Sequence, residues 1–323
     1  MLLPLAMLFA LLSGLRRWLY VLGVWRAVRL PVPVVVVGNI TVGGSGKTPL
    51  VLYLAQELAR QGRHPGIVSR GYGGTARGVQ AVGKASSATA VGDEPLLLAR
   101  RAGCPVFIGR DRVAAAEALM AAHPECDIII ADDGLQHYRL ARDIEIAVVD
   151  ERGTGNGWLL PAGPLRESVR RLATVDAVVL NGNAQRPAGA IPRKIFRMAL
   201  CGDRFFQLHH PERSCGAVEL SGQTLHAIAG IGNPSRFFRQ LANLGLQFVP
   251  HEFPDHHTYR AADLNFADAG ALLMTEKDAV KCSAFAPPES WVLPVEARLD
   301  ADLAHWVLEY GRSASDHIAN TTH

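Results

Sequence analysis

Four consecutive valines, Val34–Val37, run straight into the glycine-rich segment GNITVGGSGKTP at residues 38–49. The apolar run is too short for a helix and is wholly β-branched, as buried parallel strands are. Helical spacing of apolar residues follows, from Pro49 to Arg60, and Gly62 ends that pattern. The sequence therefore predicts a buried strand, a tight loop and a helix, in that order, and so a parallel α/β sheet.

The loop between this strand and helix has the composition of a phosphate-binding site. The free N–H groups of a helix N-terminus attract anions, and glycines let the backbone approach a phosphate closely. Lys47 would place a positive charge on the β- and γ-phosphates, and Thr48 would offer its hydroxyl to Mg²⁺. Thr41 stands where the usual motif has its first glycine. The alternative is a glycine-rich turn without a ligand. The predicted nucleotide-binding residues of the loop are Thr41, Gly43, Gly44, Ser45, Gly46, Lys47 and Thr48.

A pair of aspartates follows a second apolar run. Ile128–Ala131 reads as a buried strand, and Asp132 and Asp133 come directly after it. Side chains at the carboxyl end of a parallel strand face the crevice where ligands bind. We therefore predict that Asp132 holds Mg²⁺ directly or through water. A polar cap on the strand before the turn at Gly134 is the structural alternative.

Alternating strand and helix patterns continue beyond these motifs. Further strands are predicted at Gly66–Val68, Val106–Ile108, Ile144–Val149 and Ala177–Leu180, with a helix at Asp111–Ala122. Beyond about residue 195, hairpin strands are predicted at Ile195–Leu200, Phe205–Leu208 and Ala217–Leu220, followed by α/β strands at Leu225–Ala229, Leu246–Val249 and Ala271–Met274. This alternation predicts an α/β chain in which a P-loop NTPase-like parallel sheet is joined by a β linker to a smaller α/β domain. The predicted divisions are an N-terminal membrane-associated helix (1–30), the P-loop domain (31–200), the β linker (201–222), the second domain (223–312) and a flexible tail (313–323).

The N-terminal segment combines apolar and basic character. Residues 1–15 carry no charge, and residues 16–30 mix three bulky aromatics with four arginines. The uncharged run is shorter than the ~20 residues of a spanning helix, and its positive charge follows the apolar run rather than preceding it as in a signal peptide. We predict a helix in the lipid interface. A helix packed on the protein body and a tilted single span are the alternatives.

Composition excludes several classes of protein. The first 30 residues hold four arginines and no acid, whereas the whole chain has a net charge of only +3. The rest of the molecule therefore lacks the positive surface of a nucleic-acid-binding protein, and no nucleic-acid partner is expected. Five scattered cysteines without a CxxC pair argue against a disulfide framework and a structural zinc site, and indicate a reducing compartment.

Taken together, the motifs resemble those of a known family, the tetraacyldisaccharide 4'-kinases of lipid A biosynthesis. The matching segments, in order, are VPVVVVGNITVGGSGKTP (32–49), SRGYGG (69–74), GDEP (92–95), IIADDGLQHYRLARD (129–143), LLPAGPLRE (159–167), GIGNP (230–234), FPDHHTY (253–259) and MTEKDAVK (274–281). The resemblance implies transfer of the γ-phosphoryl group of ATP, with Mg²⁺, to the 4'-hydroxyl of an acylated disaccharide 1-phosphate. The N-terminal segment leads directly into the predicted nucleotide-binding loop, which must lie where ATP is, so we predict attachment to the cytoplasmic face of the inner membrane. No obligatory protein partner is evident.

The resemblance assigns roles to residues that the motifs alone leave open. It implies that Asp93 is the base that receives the hydroxyl proton and that His256 is its partner, with His257 as the alternative for that position. Without the resemblance, Asp93 reads as a helix N-cap before Pro95. A base that depends on His256 requires the second domain to close on the first.

Further roles come from the same resemblance. It implies that Arg166 lies near the phosphates and that Glu167 is a catalytic residue near the metal, the alternative being a solvated ion pair at a helix start. Asp133 would support the metal or the acceptor, and Gln136 is a weaker candidate for the nucleotide. The SRGYGG loop could cover the nucleotide or form a structural turn, and the GIGNP turn could bind an anion.

Two other functions remain compatible with the loop and the aspartate pair. The first is a membrane-attached P-loop ATPase switch that acts on a protein partner. The second is a soluble small-molecule kinase whose first thirty residues pack on its own body. A switch has no use for GDEP and PDHH, so these segments favour a kinase over the switch. The soluble kinase should act on acceptors without acyl chains and stay active without detergent.

Overall fold

The computed structural model describes residues 2–188, 192–266, 268 and 270–319. Two β-sheets form the framework. The strands are β1 (Val34–Gly38), β2 (Pro65–Ser69), β3 (Gln80–Ala81), β4 (Val106–Ile108), β5 (Ile128–Asp132), β6 (Ile144–Val149), β7 (Ala177–Asn181), β8 (Lys194–Cys201), β9 (Arg204–Gln207), β10 (Ser214–Gly216), β11 (Leu225–Ala229), β12 (Val249–Glu252), β13 (Ala271–Thr275), β14 (Ser290–Leu293) and β15 (Glu296–Leu299).

Helices connect and cover these strands. They are α1 (Leu3–Val21), α2 (Lys47–Arg60), α3 (Ala88–Val91), α4 (Asp93–Arg101), α5 (Arg112–Ala122), α6 (Ala217–Leu220), α7 (Pro234–Asn243), α8 (Glu276–Cys282) and α9 (Leu303–Ala319). Two 3₁₀ turns lie at Val169–Ala173 and Ala261–Leu264.

The larger sheet has nine strands in the order β15-β8-β7-β6-β1-β5-β2-β4-β3, and with its helices it forms what we call the large lobe. The strands from β8 to β4 run parallel, and only β15 and β3, at the two edges, are antiparallel. Strand β1 lies between β5 and β6, so the chain connections diverge on either side of it. A ligand crevice is expected at the carboxyl end of such a strand.

Both faces of the larger sheet are covered, which explains the run of valines in β1. Val35 and Val37 pack with α2, α4 and α9 on one face, and Val34 and Val36 pack with α5 on the other. All four valines are almost completely buried. The predicted parallel sheet with a P-loop NTPase-like arrangement is confirmed.

The smaller sheet has six strands in the order β10-β9-β14-β13-β11-β12, and with its helices it forms the small lobe, residues 204–293. Strands β14, β13, β11 and β12 are parallel, whereas β9 and β10 are antiparallel. The predicted β linker is therefore part of this lobe, because β9 pairs with β14 instead of forming a separate hairpin.

The end of the chain returns to the large lobe, which corrects the predicted extent of the second domain. Strand β15 pairs with β8, and Leu303, Ala304 and Val307 of α9 are buried in the large-lobe core. Strand β15 and α9 both pack against α2, so the apolar residues of this segment are buried there. Helix α9 also replaces the predicted tail as far as Ala319, and residues 320–323 lie outside the described part of the chain.

Three predicted strands are also corrected. The strand at residues 195–200 is not part of a hairpin, because β8 lies between β7 and β15 in the larger sheet. Residues 217–220 form the short helix α6, because the Glu219 carboxylate accepts a hydrogen bond from the Gly216 N–H and turns the chain. The strand predicted at residues 246–249 lies further along, at β12, since Leu246 is buried against the small-lobe core as part of the connection from α7.

Helix α1 lies beside the large lobe with most of its apolar side chains in the open. Met7, Leu11 and Trp18 are each more than 60% exposed, and Ala6 is its buried residue. Arg17 donates a hydrogen bond to Thr174, and Tyr20 lies against the Tyr138 ring. None of the helices within the described residues has the length and apolar content needed to cross a membrane.

Candidate active site

The glycine-rich loop joins β1 to α2, and two asparagines hold it in place through hydrogen bonds to Ser45. Asn39 donates to the Ser45 hydroxyl at 3.1 Å, and Asn181 at the end of β7 donates to the Ser45 carbonyl at 2.9 Å. Gly46 has a φ of 95°, and a Cβ there would lie 2.4 Å from the Asn181 amide nitrogen. The loop therefore requires glycine at this position for both conformation and space.

The remaining loop residues occupy different places around this turn. Thr41 pairs with Leu165 in an isolated bridge and accepts a hydrogen bond from Asn39, so it anchors the loop. Gly43 has a φ of 89°. The Thr48 hydroxyl is half-buried and makes no hydrogen bond with any residue that the structure describes, which leaves it available to a ligand.

Lys47, Asp133 and Arg166 form one charged group at the mouth of the loop. The Lys47 ammonium lies 3.7 Å from Asp133, and Arg166 donates two hydrogen bonds to the same carboxylate at 3.0 and 2.8 Å. Burial acts to raise the pKa of Asp133, but the charges of Lys47 and Arg166 outweigh it and hold the pKa below its ordinary value. Two cations are thus fixed beside the loop by one carboxylate.

Asp132 is the last residue of β5 and pairs in register with Val37 at the end of β1. Ser69 donates to its Oδ2 at 3.0 Å, while its Oδ1 is buried and has no hydrogen-bond partner within the described chain. Burial, with the charges of Glu94 and Asp133, raises the pKa of Asp132 to about 7. A buried carboxylate oxygen without a partner is suited to a hard cation such as Mg²⁺. The described residues contain no cluster of three or more potential metal ligands, so such a cation would also need phosphate or water oxygens.

Glu167 is held by a network of its own. Gln136 donates to one carboxylate oxygen at 2.7 Å, Tyr138 donates to the other, and Arg171 lies 3.4 Å away. Gln136 also donates to the Asn39 carbonyl, which ties Glu167 to the end of β1. Both Glu167 oxygens are therefore engaged by protein groups, and the Gln136 amide donors are directed at Glu167 and Asn39.

Asp93 and His256 meet across the two lobes. Asp93 opens α4, is 5% exposed, and accepts a hydrogen bond from its neighbour's N–H. Its Oδ2 lies 3.1 Å from His256 Nδ1. His256 has a φ of 59°, an uncommon conformation for a residue other than glycine and one that clusters at functional sites.

Each partner shifts the protonation of the other. The hydrogen bond to Asp93 raises the pKa of His256. Burial acts to raise the pKa of Asp93, but the bond from His256 and the charge of Lys277 outweigh it and lower that pKa. A charged carboxylate beside a protonated imidazole is the state that these shifts favour.

His257 points elsewhere. Its Nε2 lies 3.2 Å from Asp263, and its ring packs against Phe253 and Tyr259 within the small lobe. The neighbouring aromatic of the SRGYGG loop, Tyr72, places its ring edge against His256 instead. The geometry thus brings the first histidine of the pair, and not the second, to Asp93.

These groups surround one cavity of about 740 Å³. Lys47, Asp132, Asp133, Arg166, Glu167 and His256 all line it. Phe9, Leu12 and Arg16 of α1 form part of its wall, so the cavity continues from the charged groups to the N-terminal helix. A second cavity, of about 150 Å³, lies between the loop and the small lobe and is lined by Thr48, Arg236 and Gln240 among others.

The small lobe touches the loop directly. A Cβ on Gly232, in the GIGNP turn, would lie 2.8 Å from the Gly44 nitrogen, so the two backbones are in close contact. Asn233 of this turn caps α7 by accepting from the Arg236 N–H. Arg152, held by the buried Asp150, donates to the Gly44 carbonyl at 3.1 Å.

Sequence reasoning missed several of these residues. Ser69 and Asn181 are the last residues of β2 and β7, and both strands were predicted from their apolar runs. A polar residue directly after such a run could therefore have indicated a site residue. Arg152 follows β6 in the same way. Lys277 lies within the MTEKDAVK segment and reaches Glu94 and Asp255, but nothing in the sequence indicates that contact.

Comparisons with known proteins agree with this geometry. Residues 1–312 match the family model described as tetraacyldisaccharide-1-P 4'-kinase. The crystal structure described as the "apo" form of LpxK from Aquifex aeolicus in complex with ATP superimposes with a TM-score of 0.81 at 29% sequence identity. The match covers 95% of this chain and 98% of that one.

Curated relatives are closer in sequence. The tetraacyldisaccharide 4'-kinase of Azoarcus sp. (strain BH72) is 56% identical over 306 residues, which are 95% of this chain and 90% of that protein. The enzyme of the same name from Aromatoleum aromaticum (strain DSM 19018 / LMG 30748 / EbN1) is 54% identical over 312 residues, 96% of this chain and 92% of that protein. The resemblance read from the motifs is thereby confirmed, and the chain belongs to the tetraacyldisaccharide 4'-kinase family.

Proposed function

We propose that this protein transfers the γ-phosphoryl group of ATP to the 4'-hydroxyl of a tetraacylated glucosamine disaccharide 1-phosphate, a reaction of lipid A biosynthesis. The observation that carries the proposal is one cavity lined both by the phosphate loop and by His256, whose ring is hydrogen-bonded to Asp93. The phosphate loop with Lys47 and Arg166 supplies the donor side. The pair of Asp93 and His256 supplies a group that can receive a hydroxyl proton.

The proton and the phosphoryl group move in opposite directions. Asp93 accepts the proton of the 4'-hydroxyl as the sugar oxygen forms its bond to the γ-phosphorus, and the bond from that phosphorus to the β–γ bridging oxygen breaks to release ADP. His256 orients the Asp93 carboxylate through its 3.1 Å hydrogen bond. Lys47 and Arg166 stabilise the charge on the phosphates, and Asp133 fixes both cations in place.

Mg²⁺ fits the residues at the end of β5. Asp132 would hold it through Oδ1, which has no other partner within the described chain, and Thr48 would offer its free hydroxyl. Glu167 would bind water molecules of the ion rather than the ion itself, since Gln136 and Tyr138 occupy its oxygens. When bound, Mg²⁺ neutralises charge on the β- and γ-phosphates. The nucleoside of ATP would extend into the smaller cavity between the loop and the small lobe.

The N-terminal helix suits an acylated acceptor drawn from a membrane. One part of α1 lines the reaction cavity through Phe9, Leu12 and Arg16, and another exposes Met7 and Leu11. A helix that is apolar over its first three turns and carries arginines near its end can bury its apolar side chains at the surface of an anionic bilayer while the arginines contact the head groups. We infer that α1 docks on the cytoplasmic face of the inner membrane, where ATP is available, and that acyl chains lie along it.

The reaction is tested by product formation. Purified protein, Mg-ATP, detergent and tetraacyldisaccharide 1-phosphate should give a lipid heavier by one phosphate in mass spectrometry, and the phosphate should map to the 4' position. The Lys47→Ala variant should form none. ADP release without a modified lipid would favour the ATPase switch instead. Activity on acceptors without acyl chains and without detergent would favour the soluble small-molecule kinase.

Membrane docking is tested separately by flotation with vesicles of anionic phospholipid. Leu11→Glu places a charge on the exposed apolar face of α1 and should reduce the bound fraction severalfold. Val218→Glu is the matched control, because Val218 is 84% exposed on the small lobe. Equal flotation of the two variants would contradict the docking of α1.

A further inference from the structure

Lys277 occupies an unusual place between the lobes. It belongs to α8 of the small lobe, yet its ammonium lies 3.0 Å from Glu94 of the large lobe, 3.5 Å from Asp255 and 3.8 Å from Asp93. Its side chain is only 15% exposed. One buried cation is therefore shared by three carboxylates, two from α4 and one from the segment that carries His256.

The residues on either side of this lysine hold α8 in place through contacts of their own. Glu276 on one side pairs with Arg101 and accepts the Val295 N–H. Asp278 on the other side is completely buried and accepts from Tyr259. These two residues anchor the helix in place. The lysine between them contributes its charge to the interface of the lobes rather than to the core of either.

The charges around Lys277 explain what its removal would do. Asp93, Glu94 and Asp255 would then face one another across the interface, and close like charges in a partly buried site repel strongly. The charge of Lys281 also helps to lower the pKa of Asp93, but the Lys281 ammonium is paired with Asp278 and the Gly230 carbonyl. Apart from the Glu94 N–H, His256 would be the remaining hydrogen-bond partner of Asp93 in the part of the chain that the structure describes, and it depends on the small lobe staying docked.

We propose that Lys277 is a positioning residue for phosphoryl transfer, which neutralises Asp93, Glu94 and Asp255 and so holds the small lobe where His256 meets Asp93. The inference rests on the proposed function, because it assigns Asp93 and His256 to the reaction. Lys277 also lines the smaller cavity, where the nucleoside of ATP is proposed to bind, but its ammonium is paired with the three carboxylates. Its effect is to keep the Asp93 carboxylate charged and in place, and to keep the two lobes in contact at this point.

The test compares Lys277→Met with Lys277→Arg and with Lys84→Met. Lys84 is exposed, and its side chain makes no ion pair with the described residues, so its variant controls for loss of a lysine charge elsewhere. We expect Lys277→Met to lower kcat at least tenfold, less than the ~10²-fold expected for loss of the base itself. KM for ATP should change less than kcat, because the phosphate loop is untouched and methionine keeps a side chain of similar length on the wall of the smaller cavity. Lys277→Arg should recover most of the loss.

The pH profile separates a positioning role from a merely structural one. Loss of a nearby cation raises the pKa of Asp93, so the acidic limb of kcat should move to higher pH in Lys277→Met. The limb should return in Lys277→Arg. Adding Asp255→Asn to Lys277→Met should restore part of the activity, because it removes one of the repelling carboxylates.

The outcomes are distinguishable. If the unaltered protein forms no phosphorylated lipid, the proposed function fails. If it does, and Lys277→Met keeps the original kcat and acidic limb, the role of Lys277 is refuted while the proposed function stands. If the Lys277→Met protein fails to fold, the Lys277→Arg variant decides the test. Because arginine retains the positive charge, an acidic limb of kcat that is shifted in Lys277→Arg would also refute the inference.

Discussion

The most informative perturbation separates two adjacent histidines. His256→Ala removes the hydrogen bond from Nδ1 to Asp93 Oδ2 at 3.1 Å. A hydrogen bond to a charged group contributes about 1.5–3 kcal/mol, and the 30% exposure of the His256 side chain favours the low end. A loss of about 1.5 kcal/mol in the transition state lowers kcat roughly tenfold. Loss of the base in Asp93→Ala should cost about 10²-fold or more.

His257→Ala is the matched control for this experiment. That residue pairs with Asp263 and packs against Phe253 and Tyr259, so its loss should lower stability and leave kcat within about twofold. Both variants should be assayed by mass spectrometry of the phosphorylated lipid at saturating ATP and acceptor. Thermal unfolding should be recorded for each, so that a loss of folded protein is not read as a loss of turnover.

The double variant of Asp93 and His256 tests whether the two act as one unit. Because His256 works through Asp93, the double variant should be no slower than Asp93→Ala alone. The acidic limb of His256→Ala should also move to higher pH, since the bond that helps to lower the pKa of Asp93 is gone. Additive losses, or a larger loss of kcat in His257→Ala, would refute the pairing.

Three further predictions concern the loop and the buried charges. Gly46→Ala, which strains a φ of 95° and displaces the Asn181 amide, should weaken ATP binding in calorimetry and cost about 2 kcal/mol of stability. Arg171→Met should lower the free energy of unfolding in urea by about 3 kcal/mol, because it removes a buried partner of Glu145 and Glu167. Arg193 is exposed, and the control variant Arg193→Met should change that free energy by less than about 1 kcal/mol. Burial acts to raise the pKa of Glu145, but Arg171 and Arg142 outweigh it and lower that pKa. The stability that this shift adds should be complete above the ordinary pKa range of glutamate and should be lost as the pH falls through the lowered pKa. Acid titrations followed by circular dichroism measure this loss.

The two halves of the candidate site differ in how far sequence could predict them. The donor half lies at the ends of β1 and β5, and Val37 and Asp132 are register partners in adjacent strands. Apolar runs followed by polar residues reveal such positions, because parallel strands end at one edge of a sheet. The acceptor half joins residues far apart in the chain, and only family resemblance pointed to His256.

Two predicted site residues contact protein groups that the sequence does not indicate, and their roles stay predictions. Gln136 reads as a nucleotide ligand, yet its amide holds Glu167 and the Asn39 carbonyl. Glu167 reads as a metal ligand, yet Gln136 and Tyr138 occupy its oxygens. Sequence spacing places these residues near the site, but it does not specify which neighbour each polar atom will meet.

The sequence by itself determined the parallel α/β class, the phosphate loop and the aspartate pair, since these depend on local patterns of burial, turn and charge. The tertiary structure alone decided that β15 and α9 return to the large lobe, that Arg152 and Gly232 meet the loop at Gly44, and that Lys277 joins the carboxylates of both lobes. These contacts bring together segments separated by up to about two hundred residues. They arise from the packing of whole elements, and no local pattern in the chain encodes them.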